Sequence, residues 1–210
     1  MKIGFEKLGW LVAAGLGAMF VASGFEPAAT KIGVVDVQRA ITESDSYKKS
    51  MNDLQAAFKQ RGDLLDYINT YPVFTVTQAT RFRDLTLKAQ PTAAETTELN
   101  KIKADVKDQD DKFRVLQQKQ NPTAADKQAL DDYGKRVQAL GQLIADWRQQ
   151  FSTDLQGMQD KAQQANQDAV RGAIETVGKN QAFTLIFIKD VAPFGVNDTT
   201  TDVLKAVNKK

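Results

Sequence analysis

The chain of 210 residues contains no cysteine and no histidine. Disulfides are therefore excluded. So are a thiolate nucleophile, the usual general base near neutral pH and most zinc or copper ligands. Aromatic residues make up only 8% of the chain, which is low for a single round core. Charge of one sign is missing too: the net charge is +2, and no basic patch interleaved with aromatics offers a nucleic-acid surface. The sequence holds no phosphate loop and no nucleophile elbow. The run DQDD at 108–111 lacks the central glycine and closing glutamate of a calcium loop and reads as a solvated helix face. Together these absences predict a non-enzymic protein without a cofactor. A carboxylate-based hydrolase finds no site constellation here.

The chain does carry the composition of long helices with wide solvated faces. Charged residues reach 26%, and Gln, Ala, Asp and Lys dominate between residues 45 and 180. Residues 1–29 stand apart: Lys2 and Lys7 flank the start of an apolar run, LGWLVAAGLGAMFVA, that ends in small residues. This pattern predicts a secretory signal peptide, cleaved between residues 22 and 30. A membrane span needs about 20 apolar residues, more than this run supplies.

Beyond residue 30, KIGVVDVQ (31–38) reads as a buried strand. From Tyr47 an apolar seam runs through Met51, Leu54, Phe58, Leu65 and Ile68, with Arg61 filling one position. It predicts a helix that ends in NTYPVFTVT (69–77), where Pro72 and β-branched residues intervene. Thr77 is the expected cap of a short helix carrying Phe82 and Leu85, which Pro91 breaks. A capping box from Thr92 to Glu95 opens the next helix, with Leu99, Ile102, Val106, Phe113 and Leu116 in its seam. Pro122 interrupts it. The longest helix then presents Leu130, Tyr133, Val137, Leu140, Ile144, Trp147 and Phe151 at heptad spacing. A stutter leads on to Leu155, Met158, Ala162, Ala165 and Ala169, and Gly178 is the expected stop. FTLIFI (183–188) reads as a second strand sharing a sheet with the first, and VAPFGV (191–196) as a third, edge strand because of Pro193. Thr200 is the expected cap of a terminal helix.

One segment is written twice. FRDLTLKAQPTAAE (82–95) returns as FRVLQQKQNPTAAD (113–126), with eight identities in fourteen positions. It reads as a duplicated helix-break-and-restart that lengthens or thickens the helical region. The near-repeat also predicts that residues 91–121 can be removed without loss of folding.

The order of signal peptide, strand, helical hairpin, strands and capped terminal helix resembles the Skp/OmpH family of periplasmic chaperones. The residues that carry the resemblance are KIGVVDVQRAITES (31–44) and FTLIFIKDVAPFGVNDTTTDVLKAV (183–207), with DTTTDVLKAV (198–207) the most specific part. The resemblance implies a mainly α fold with a small β body and a long helical-hairpin, coiled-coil-like arm. It implies a homotrimer of jellyfish form that holds unfolded outer-membrane β-barrel proteins, without ATP, in a cavity between its arms. Residues 30–45 and 179–210 would form the trimerisation body and 46–178 the arm. The implied location is the periplasm, where contact with the membrane surface is also expected. This chain is less basic than the family pattern, and its repeated PTAA segment is an addition to it.

The strands are too short and the terminal helix too small to bury enough surface alone. Ile32, Val34, Leu185 and Phe187 are therefore expected at the trimer interface. Phe74, Phe82 and Phe113 are candidate client contacts, although seam packing accounts for Phe82 and Phe113 as well. Asp36 is read as an end-of-strand or interface hydrogen-bonding residue, since no catalytic partner constellation accompanies it. The alternative function is that of a structural coiled-coil spacer or scaffold of the envelope, which would keep the heptads and need no cavity.

Overall fold

A computed structural model describes residues 30–209, so the expected signal peptide lies outside the described residues. The chain is mostly helical, with one long helix and a small parallel sheet of two strands. In chain order the elements are β1 (Ile32–Val35), α1 (Val37–Thr42), α2 (Asp45–Thr70), α3 (Val76–Leu87), α4 (Ala93–Gln117), α5 (Ala124–Asn180), β2 (Leu185–Ile188) and α6 (Thr200–Asn208). They form two compact units. Residues 45–167 make up a helical unit, and residues 30–44 join 168–209 in the other.

The helical unit is not a simple two-helix hairpin. Pro72 and the turn around it end α2, and the chain then doubles back twice before α5 begins. Side-chain pairs set the directions. Tyr67 stacks on Phe82 at 5.0 Å, Arg81 bonds Glu98 at 2.7 Å, and Phe113 meets Tyr133 at 4.9 Å. With a second pair across each boundary, Gln60–Thr86, Lys88–Glu95 and Arg136–Gln109, residue numbers rise on one helix as they fall on the next, so α2, α3, α4 and α5 run alternately up and down. Thr75 caps α3, where Thr77 was expected. Its hydroxyl accepts from the Gln78 amide at 3.1 Å, and the Gln78 side chain accepts from the Thr75 amide at 3.0 Å. The reciprocal box needs a Gln or Glu three residues on, which Thr75 has and Thr77 lacks.

The repeated segment is thus one antiparallel turn used twice. After α3, Lys88 bonds Glu95 at 2.7 Å and the Thr92 amide donates to Glu95 at 2.8 Å. After α4, Lys119 bonds Asp126, and the Thr123 amide donates to Asp126 at 2.8 Å. These contacts hold the Glu95 and Asp126 carboxyls well below their usual range, each at about 2: the lysine is the main cause and the threonine the second. The expectation that 91–121 is dispensable is corrected by packing. α4 sends Val106 into the core with no exposure at all, and Leu99, Ile102 and Phe113 pack against the same core.

That core gathers Leu64 and Ile68 from α2, Val73 and Phe74 from the turn, Ala79 and Phe82 from α3, and Leu140, Ile144, Trp147 and Phe151 from α5. The α4 seam and the α5 seam from Leu140 to Phe151 follow the heptad reading there, while Val137, expected in the α5 seam, is 39% exposed. The α2 seam does not: Leu64 is buried, while Phe58 is 69% exposed and Met51 46%. Beyond Phe151 the alanine seam is also displaced. The buried positions are Asn166, Val170, Ala173 and Val177 in place of Ala162, Ala165 and Ala169. A straight helix of 3.6 residues per turn drifts from a 3.5-residue repeat, so a long run moves its buried stripe off the heptad.

In the second unit, β1 and β2 pair in parallel with Ile32 opposite Leu185 and Val34 opposite Phe187. The strand read over 31–38 is shorter. At Asp36 it gives way to α1, whose first turn the Asp36 carboxylate caps by accepting from the Arg39 amide at 2.8 Å. The core here is Val35, Ala40, Val170, Ala173, Val177, Val203 and Val207. α5 ends at Asn180, two residues past the expected stop at Gly178. Its end is a Schellman turn, in which the Phe183 amide bonds the Gly178 carbonyl at 2.9 Å and the Ala182 amide bonds the Lys179 carbonyl at 3.3 Å. Ala182 occupies the left-handed position, with φ 54°.

Candidate functional site

Ile32, Val34, Leu185 and Phe187 are paired residues at alternate positions of two parallel strands, so all four project from one face of the sheet. The other face, carrying Val35 and Ile186, packs on the core of its unit. On the outer face Ile32 is 43% exposed, Leu185 52% and Phe187 39%. Only Val34 is covered. The chain crosses it at Gly195, where a Cβ would stand 2.5 Å from Val34 Cγ1. A glycine is required there because the backbone approaches too closely for any side chain.

The segment 191–196, expected as a third strand, forms no strand. The Val191 and Ala192 amides both turn back to the Ile188 carbonyl, at 3.0 Å each, and Pro193 has no amide to offer a ladder. The following residues reach β1 instead. The Val34 amide donates to Asn197 O at 2.9 Å, and the Thr199 amide donates to Val34 O at 2.8 Å. β1 is therefore flanked on both sides, and among the described residues no strand pairs with the outer edge of β2. The crossing loop leaves Val191 69%, Phe194 86% and Val196 89% exposed.

A polar lock holds the crossing segment in place. Asp198 accepts from the Thr200 amide at 2.9 Å and from its hydroxyl at 2.6 Å, and Lys189 lies 2.8 Å from its second oxygen. Lys189 first, and the Thr200 donors after it, pull the Asp198 carboxyl down to about 2. The Thr200 hydroxyl in turn accepts from the Asp36 amide at 2.9 Å. Thr200, expected as the cap of α6, is thus its first residue and fastens it to the end of β1. Thr199 stands at the cap position and makes no side-chain cap bond.

The expected client contacts are placed differently from the sheet face. Phe74 is fully buried and Phe82 is 2% exposed, with ring centroids 5.4 Å apart in the helical core. Neither offers a surface to a client in this fold. Phe113 is half-buried against Tyr133. Besides Phe187, the exposed phenylalanines among the described residues include Phe58, expected in the α2 seam, and Phe194, expected in a strand. Among the described residues no helix is long and apolar enough to cross a membrane.

No family model matches the chain, and no curated protein matches it.

Proposed function

We propose that the protein is an ATP-independent holdase of the periplasm, a homotrimer that shelters unfolded outer-membrane β-barrel proteins between the helical units of its copies. The observation that carries this reading is the open sheet face. Leu185 and Phe187 are exposed on it, on a strand whose outer edge pairs with no other strand among the described residues, and the loop that follows exposes Phe194. Large adjoining apolar surface next to an unpaired edge invites association, because it removes apolar area from water and satisfies the edge at once. The chain's own copies are the occupants this reading assigns to that face. The resemblance of residues 31–44 and 183–207 to the Skp/OmpH pattern supports the trimer and the client class. No catalytic role and no nucleic acid enters the reading.

The test is complex formation. An unfolded β-barrel protein diluted from urea, without ATP, should co-elute with the trimer as a soluble species. If the client is recovered only as aggregate while the protein elutes alone, the holdase reading fails and the scaffold reading replaces it.

A further inference from the structure

A groove of about 470 Å³ runs between α2 and α5 inside the helical unit. Its apolar walls include Phe58, Leu65, Phe151 and Leu155, and its basic groups are Arg61 and Arg148; no acidic residue lines it. Arg39, Arg81, Arg83 and Arg114 each hold a carboxylate partner. Arg61 holds none: it donates to its own helix at Ala57 O, 3.2 Å away, and its Nε is buried with no acceptor. Arg148 likewise makes no ion pair among the described residues. A buried guanidinium donor without an acceptor is costly, and its natural complement is an anion.

We propose that this groove binds a single-chain anionic amphiphile, a fatty-acid carboxylate. Its alkyl chain lies along Phe58, Leu65, Phe151 and Leu155, and its carboxylate is held by the Arg61 and Arg148 guanidinium groups. The volume is that of a small-molecule site, apolar with a few convergent polar groups. Both walls are helices whose backbone groups are already paired. An extended polypeptide would bury its amides there without partners, whereas an alkyl chain has none to satisfy. The floor is open at Gly62, where an added Cβ would meet nothing within 4 Å. Internal packing therefore leaves that space free.

The experiment is calorimetric titration of the full chain with decanoate below its micelle concentration, with decanol as the uncharged arm. Decanoate should bind once per chain, and decanol at least tenfold more weakly. Arg61→Met combined with Arg148→Met should lower decanoate affinity at least tenfold. Gly62→Leu should abolish binding with the thermal transition kept. Gly141→Leu, at another glycine with nothing within 4 Å of its would-be Cβ, should leave binding unchanged. Equal affinity for decanoate and decanol, or full binding by Gly62→Leu, would overturn the proposal. So would capture of an acidic amphipathic peptide by a groove that ignores decanoate.

Discussion

Val34 and Phe187 are partners across the parallel sheet, yet Val34 is 3% exposed and Phe187 39%. The difference comes from one close crossing, at Gly195, which seals Val34 and leaves the Leu185–Phe187 half of the face open. Because Leu185 is bare in the single chain, Leu185→Asp should leave its fold intact and act on association alone. Light scattering should show a larger species for the native chain and monomer for the variant, with helix content by circular dichroism unchanged. Val35→Asp, on the buried face, is the contrast: it places an unpaired charge in the core and should unfold that unit. A variant Leu185→Asp that remains fully oligomeric would remove this face from the interface.

A second prediction concerns the direction of the helices. Removing residues 91–121 takes out α4, a single pass, and forces α5 to run the opposite way relative to α2. Residues 45 and 167 would then fall at opposite ends of the helical unit. Removing 72–121 takes out α3 and α4 together and keeps α2 and α5 antiparallel. Amide exchange should show β1 and β2 unprotected in the first variant and protected in the second. Protection in both would mean that pass number does not govern folding.

Ala182 pays for its left-handed backbone, which costs an alanine about 1–2 kcal/mol. Glycine adopts it freely but loses more freedom on folding, about 0.5–1 kcal/mol. Ala182→Gly should therefore stabilise the protein by roughly 0.5–1 kcal/mol, since the Schellman turn wants glycine at this position. Denaturant unfolding measures this, and a loss of stability would show that the Ala182 methyl group packs productively.

Acid should weaken both units. The folded pKa values of Glu95, Asp126 and Asp198 are about 2, below their ordinary values of 4.5, 3.8 and 3.8. A depressed carboxyl contributes stability that is complete above its ordinary value and is lost as pH falls through the folded one. The loss should therefore run from about pH 4.5 down to about pH 2. Asp198→Asn should weaken protection of β1 at neutral pH and flatten its response across that window. An unchanged acid response would assign the sensitivity to other groups.

Much of the fold was legible because the signals are local. The capping box at Thr92, the breaks at Pro91 and Pro122, and the seam spacing from Leu140 to Phe151 act within a turn or two of helix. The pairing of β1 with β2 was legible because each strand is too apolar and too short to stand alone. Long-range geometry was not legible. Phe58 continues the heptad of α2 but lies outside the buried stripe, because three further passes of chain decide which face is covered. Phe74 sits among residues that read as a loop, and becomes core only when α3 folds back over it. Ile32, Val34, Leu185 and Phe187, read from the sequence as shared between copies, fall on one face of the sheet. The sealing of Val34 was not legible, since it depends on where Gly195 crosses.

The central claim is that this protein keeps unfolded β-barrel proteins soluble, and turbidity measures that directly. An unfolded outer-membrane β-barrel protein is diluted from urea into buffer without ATP, with three copies of the full chain present per client. The account predicts that light scattering stays at baseline with the native protein and rises with Leu185→Asp. Scattering that rises equally with the native protein, the variant and no protein at all would contradict it.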